Sequence, residues 1–231
     1  MTGSIVLKKI TQRQTTQDVI YEQLRAAIIA GGYEAGQRFK ISDLAQGFGT
    51  SNMPVREALK RLSAEGALVV GTSGTAMVPL TSARDLDHLS RTRCILEGAA
   101  AAAAAPAFGD ARLRQLIEAN DRHRSAVESG NLSETLEHNR AFHFLIYEAA
   151  ENPVLLALIE NLWLRYGPYV RLLAGRMGER PNWQAGALSP HHERLIDSLA
   201  ARDPQEARSA AEADIRATQE LMLGLRTFSG G

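Results

Sequence analysis

The sequence predicts a mainly α-helical protein with an N-terminal winged helix-turn-helix and a C-terminal antiparallel all-α bundle. Two observations support this fold class. Three helical patterns between residues 16 and 65 are followed by two short β-type runs that a glycine-rich turn joins. After Pro79 the β-type runs stop, and six helical patterns follow that glycine and proline separate. We therefore expect a flexible tail (1–14), a winged-helix domain (15–80) and an all-helical domain (81–228).

The elements of the N-terminal domain follow from local start and stop signals. The first helix has an apolar stripe that includes Ile20, Leu24 and Ile28. The third helix has Pro54 in its first turn, where a missing backbone N–H costs little. The predicted elements are a helix capped by Thr16 and stopped at Gly31, a short helix from Ser42, a helix from Ser51 to Glu65, a strand at 68–70, a turn at 71–74 and a strand at 76–78.

The third helix combines an apolar face with a polar face. On the polar face, Asn52, Arg56 and Lys60 are spaced four residues apart. Asparagine pairs with adenine and arginine with guanine in the major groove, which the N-terminal end of such a helix enters. The spacing alone also fits a solvated amphipathic helix, so this alternative stays open. The helix residues expected to reach DNA are Ser51, Asn52, Met53, Pro54, Arg56 and Lys60.

The predicted wing and the charge distribution both fit a DNA-binding head. The turn ending at Gly74 and Thr75 is made of small residues, so it can approach a phosphate backbone closely. The first 80 residues hold nine lysines and arginines against six acidic residues, whereas the whole chain holds 26 of each. This excess of positive charge is small, but it is located where a polyanion would bind.

Four polar residues in the C-terminal part lie on helical stripes that are otherwise apolar. They are Asn139 and His143, one turn apart on one helix, with His192 and Asp214 on two later helices. Buried polar groups need partners. The four side chains either satisfy one another through hydrogen bonds or converge on a divalent metal ion, for which imidazole and carboxylate are ordinary ligands.

Arg93 also lies on an apolar stripe, in the predicted helix 84–105. A buried guanidinium needs an anionic partner. That partner is either an internal carboxylate such as Glu97 or the carboxylate of a bound effector, which arginine recognises with two parallel hydrogen bonds. The other histidines are expected to face solvent or to have no role, and four aromatic residues to fill core or loop. These residues are His88, His123, His138 and His191, and Trp163, Tyr166, Tyr169 and Trp183.

The N-terminal part resembles the GntR family of bacterial regulators. The resemblance is carried by GQR at 36–38, by GTSNMPVREALKRL at 49–62 and by the wing at 74–78. It implies that Arg56 and the residues before it contact operator DNA, and that Arg38 and the wing contact phosphates. Many members have arginine where this chain has Asn52, which leaves the base preference of the operator open.

The C-terminal part, about 84–226, resembles the FCD ligand-sensing domain of the FadR-like branch of that family. The matching residues include Arg93-x3-Glu97, NRAFH at 139–143, Asn152-Pro153 and His192. Metal-binding members have Asp, His, His and His at four positions, where this chain has Asn139, His143, His192 and Asp214. The resemblance implies a divalent ion such as zinc or nickel, and a homodimer that reads a two-fold operator.

The composition fits this interpretation and argues against others. Hydrophobic residues make up 45% of the chain, no apolar run approaches the roughly 20 residues that span a bilayer, and the single cysteine fits a reducing cytoplasm. A metal-dependent hydrolase is the rival, but no general base stands out beyond the ligand set. We expect a repressor or activator that senses a sugar acid or another organic acid, or a regulator whose effector is the metal itself.

Overall fold

The computed structural model describes residues 15–71, 75–177 and 189–224. Within these ranges the chain forms nine α-helices, one 3-10 turn and one three-stranded sheet, and none of the helices is long and apolar enough to cross a membrane. The expected tail at 1–14, Gly74 and Trp183 lie outside the described residues. The elements are α1 (Thr16–Ile29), β1 (Arg38–Lys40), α2 (Ile41–Gly47), α3 (Asn52–Ala64), β2 (Val69–Val70), β3 (Thr75–Met77), α4 (Ala83–Ala104), the 3-10 turn (Ala105–Ala107), α5 (Asp110–Glu128), α6 (Leu132–Ala149), α7 (Pro153–Met177), α8 (Ser189–Ala200) and α9 (Pro204–Gly224).

The residue that caps helix α1 lies one position earlier than expected. The side chain of Thr15 accepts a hydrogen bond from the backbone N–H of Asp18, and the Asp18 carboxylate accepts one from the backbone N–H of Thr15. This reciprocal pair satisfies two N–H groups at the helix start. Thr15 therefore caps α1, and the prediction of Thr16 was wrong because it overlooked the acidic residue three positions after Thr15.

The sheet contains a strand that the sequence did not predict. Strand β1 pairs antiparallel with β3, which lies between β1 and β2, and Arg38 is opposite Met77. With three residues, two of them charged and exposed, β1 is too short to show an alternating pattern. Arg38 is therefore held on a sheet edge rather than on a loop.

The fold has separate apolar cores in its N-terminal and C-terminal parts. The first core joins α1, α2, α3 and the sheet, and Leu164 from α7 is buried in it. The second core is formed largely by α4, α5, α6, α8 and α9. The alanine-rich end of α4 packs tightly there, because Ala100, Ala101 and Ala104 have no exposed surface.

Helix α7 holds the two parts together. Arg25 on α1 forms an ion pair with Glu160 at 3.1 Å, and the Asn161 side-chain amide donates to the Glu65 carbonyl at 3.2 Å. The position of α7 in the C-terminal bundle is thereby linked to that of the N-terminal part.

Candidate functional site: a buried histidine and carboxylate cluster beside a cavity

Three of the four predicted metal ligands come together in the C-terminal bundle. His143 on α6, His192 on α8 and Asp214 on α9 are all buried, and their candidate ligand atoms lie within 4.8 Å of one another. Nε2 of His143 is 3.4 Å from Oδ2 of Asp214. Asn139 is half-buried one turn before His143. Like His143 and Asp214, it lines a cavity beside the three residues. The arrangement follows from the helical periodicity, which points each residue inward from its own helix.

His192 leaves one buried nitrogen without a partner. Its Nδ1 lies 3.0 Å from the side-chain oxygen of Asn120. That oxygen only accepts hydrogen bonds, so Nδ1 carries the proton and Nε2 presents a lone pair. Nε2 is buried and has no hydrogen-bond partner. A buried, unpaired imidazole lone pair beside a second imidazole and a carboxylate fits a divalent cation, and an oxygen partner on the other ring nitrogen is usual for metal-binding histidine.

The protonation states of the two imidazoles also suit metal binding, which needs neutral histidine. Burial, together with the nearby charge of Arg93, lowers the pKa of His143 to about 3. Burial, followed by the influence of His143, also holds the pKa of His192 well below its ordinary value. Burial raises the pKa of Asp214 to about 7, although Arg93 opposes this effect. Both imidazoles are neutral at pH 7, so the contact between His143 and Asp214 is not an ion pair between two full charges.

Arg93 has an internal carboxylate partner. Its Nε donates to Oε1 of Glu97 at 2.6 Å and its Nη2 donates to Oε2 at 3.1 Å, so one edge of the guanidinium is occupied. Tyr147 donates to the same carboxylate, and the guanidinium carbon lies 4.3 Å from the centre of the Tyr166 ring. Arg93 still lines the cavity. The bidentate pair accounts for its burial without an effector.

A cavity of about 460 Å³ lies beside this cluster. Its volume falls in the range of small-molecule sites. Its walls come mainly from α6, α7 and α9, but four residues of α1 in the N-terminal part and Ala30, which directly follows that helix, also contribute. The four are Glu22, Arg25, Ala26 and Ile29.

The polar face of α3 is exposed. Its apolar residues Val55, Ala58, Leu59 and Leu62 are buried, as the sequence predicts. Arg56 is exposed and makes no ion pair with any described residue, whereas Lys60 pairs with Glu57 at 2.8 Å. The remaining predicted contacts are Ser51, Asn52 and Met53, which are exposed; Pro54 and Thr75, which are half-buried; and Arg38, which is exposed on β1.

Comparisons with known proteins place the domain that carries α3 and the domain that carries the cavity in one family. Residues 16–78 match the family of bacterial regulatory proteins called gntR, and residues 88–217 match the FCD domain. The chain is 34% identical to the HTH-type transcriptional regulator McbR of Escherichia coli K12 over 67% of this chain and 70% of McbR. The chain belongs to the GntR family of transcription regulators, in its FCD branch. It is a DNA-binding regulator and not an enzyme.

Further comparisons extend the similarity of this GntR regulator to at least 90% of the chain. The solved structure of E. coli McbR/YncC has a TM-score of 0.84 and 27% identity, and the match covers 92% of this chain and 99% of that one. A GntR protein from Rhodococcus sp. RHA1, at 20% identity with a TM-score of 0.74, shares the fold. The Glc operon transcriptional activator of E. coli K12 is 25% identical over 90% of this chain and 89% of the activator.

Two cluster residues of this GntR protein were missed in the sequence. His123 was expected to face solvent or to have no role. It is instead buried, with 4% of its surface exposed, and its ring centre lies 5.0 Å from that of His192. Asn120, one turn earlier on α5, is the partner of His192. A signal was available, because His123 continues the buried stripe of Leu116 and Ala119 at helical spacing. His88 is exposed as expected.

The aromatic residues of α7 were also expected to fill only core or loop. Trp163 and Tyr166 are buried, but both line the cavity, and Arg93 packs against both rings. Tyr169 is buried and its hydroxyl donates to the Ser82 carbonyl at 3.1 Å. Trp163 and Tyr166 therefore belong to the wall of the cavity as well as to the core.

Proposed function

We propose that this regulator senses a small carboxylate at a divalent metal ion in the C-terminal cavity and changes its operator affinity in response. The observation that carries the proposal is the unpartnered Nε2 of His192, which is buried among His143 and Asp214 next to a ligand-sized cavity. His143, His192 and Asp214 would hold the metal, with the Asn139 amide as a weaker fourth ligand.

The charge balance supports an anionic effector. Two neutral imidazoles and one carboxylate leave a divalent cation with a net positive charge. When bound, the metal would supply an electrophilic anchor for a carboxylate oxygen. Arg93 and Glu97 neutralise each other nearby, so the excess positive charge would belong to the metal centre.

On the DNA side, we propose that α3 enters the major groove. Asn52 and Arg56 would read base edges, and Arg38 with the wing residues Gly74 and Thr75 would contact phosphates. The chain would act as a homodimer through its C-terminal domain, since two heads related by a two-fold axis match a two-fold operator.

DNA binding by metal-loaded and chelated protein tests this proposal. The protein would first be used to select genomic fragments at low salt. These fragments would then be titrated with protein from which a chelator has removed metal and with protein loaded with zinc or nickel. A panel of carboxylates would finally be added to each form of the protein. We expect the carboxylate to change DNA affinity only when metal is present. A response to metal that no carboxylate modifies would identify the ion as the effector, and a response to carboxylates in chelated protein would contradict the metal site.

A further inference from the structure

The cavity beside the histidine cluster has two chemically different ends. His143, Asp214 and Arg93 lie at one end. Along α9 the lining continues from Asp214 to the fully buried Met222, a helical distance of about 12 Å at the usual rise. Along α7 it continues from Trp163 to the buried Leu173. The part of the lining that α7 and α9 supply away from the cluster is therefore largely apolar, whereas the part that α6 supplies is largely polar.

Helix α1 of the winged-helix domain borders this apolar stretch, with Ile29 buried and Ala26 exposed. Helices α1 and α7 run parallel, because Arg25 pairs with Glu160 and Gly31 lies against Val170 and Arg171 further along both helices. The C-terminal turns of α1 therefore lie beside the apolar stretch of α7. Ala26 and Ile29 line the cavity from this side.

Three charged lining residues outside the cluster are exposed and therefore lie at the opening, and Arg25, which is half-buried, is paired with Glu160. Glu22, Glu137 and Arg140 are exposed, whereas Ile29 and Ile215 are buried. Charged side chains at the rim are hydrated in the free protein and do not call for a charged ligand body. A sugar acid that extended along the α7 and α9 part of the wall would leave most of its hydroxyl groups there without partners, which costs free energy.

We infer that the effector is an amphipathic carboxylate whose apolar part fills the far end of the cavity against α1 of the winged-helix domain. This inference rests on the proposed function, which places the carboxylate at the cluster. The effector then contacts the DNA-binding domain directly through Ala26 and Ile29. Its length determines whether it reaches α1, so tail length controls both affinity and the DNA response.

Calorimetric titration of zinc-loaded protein with straight-chain monocarboxylates from acetate to octanoate tests the inference. Gluconate serves as the polyhydroxylated comparison. Each added methylene should tighten binding about two- to fourfold until the apolar end is filled. Gluconate should bind no more tightly than acetate. The Ala26→Leu variant should weaken octanoate binding at least tenfold and leave acetate binding within twofold, because the added side chain occupies the apolar end.

Gln23→Leu provides the matched control, since it adds the same side chain to the exposed face of α1 outside the cavity lining. Thermal melting checks that both variants fold. Binding that does not depend on tail length, or an Ala26→Leu variant that binds octanoate as well as the unmodified protein does, would overturn the inference and leave carboxylate sensing intact. If no acid in the series binds, the proposed function itself fails.

Discussion

The backbone of Gly167 lies directly against the carbonyl oxygen of Ile28, so closely that a β-carbon on Gly167 would overlap that oxygen. Gly167 is on α7 of the FCD domain, and Ile28 is on α1 of the winged-helix domain. The two helices thus meet backbone to backbone, and the ion pair of Arg25 with Glu160 lies on the same contact. A ligand that shifts α7 would shift the DNA-binding domain with it.

Replacing Gly167 by alanine should loosen this junction. We expect the Gly167→Ala variant to lose about 1–3 kcal/mol of unfolding free energy, the usual cost of overpacking, and to lose amide protection along α1. Urea unfolding and hydrogen exchange measure both effects. Gly224→Ala is the control, because a β-carbon at the end of α9 meets no atom within 4 Å. Equal stability of the two variants would show that the junction tolerates a side chain.

Arg56 should carry base recognition. The Arg56→Ala variant should bind its operator with about 1–3 kcal/mol less free energy, which corresponds to about a 5- to 150-fold rise in Kd. Arg122→Ala, which removes the same charge from an exposed ion pair on α5, should change Kd little. Fluorescence anisotropy with a labelled operator measures both. An equal loss in the two variants would indicate a general charge effect instead of base contact by α3.

Metal affinity should depend on His192 and not on its neighbour. His192→Ala removes a proposed ligand and should weaken zinc binding by about 100-fold or more, since even outer-shell partners are worth about 10- to 100-fold. His191→Ala alters the adjacent, half-buried histidine on the same helix and should leave zinc affinity nearly unchanged. Competition with a chromogenic chelator reports both constants. Zinc binding that survives in His192→Ala would rule out the proposed ligand set.

Acid should destabilise the chelated protein partly through His123. Burial lowers the pKa of His123 to about 4, and His138 adds to the effect. The ordinary histidine pKa is about 6.5, so the unfolded chain binds more protons between these values. Stability from this group is complete above pH 6.5 and is lost as pH falls toward 4.

A comparison with the His123→Gln variant isolates that contribution. Between pH 7 and pH 5 the unmodified protein should lose about 2 kcal/mol more unfolding free energy than the variant does. Urea titrations in the presence of a chelator at the two pH values measure the difference. Asp214, whose raised pKa acts in the opposite direction, is present in both proteins and cancels. Parallel losses would mean that His123 titrates normally.

Periodicity predicted the parts of the site that depend on one helix at a time. Val55 and Leu62 on α3, and His143, His192 and Asp214 in the bundle, face inward because of spacings that are visible in the sequence. His123 obeys the same rule and was missed only because its stripe on α5 was not followed.

Two other features were beyond periodicity. Strand β1 has three residues and is defined by its pairing with β3, which is distant in sequence. The contribution of Ala26 and Ile29 to the cavity depends on how α1 packs against α7, and local patterns do not specify contacts between separate domains. Both features are set by long-range packing.

We propose that this chain couples a carboxylate in the FCD cavity to operator binding through α3. The most direct measurement is operator affinity of zinc-loaded protein, by anisotropy, with and without the tightest-binding acid of the monocarboxylate series. We predict that the acid changes Kd at least fivefold in the unmodified protein and leaves it unchanged in His192→Ala. An acid that binds tightly in the cavity but leaves operator affinity the same in both proteins would contradict the account.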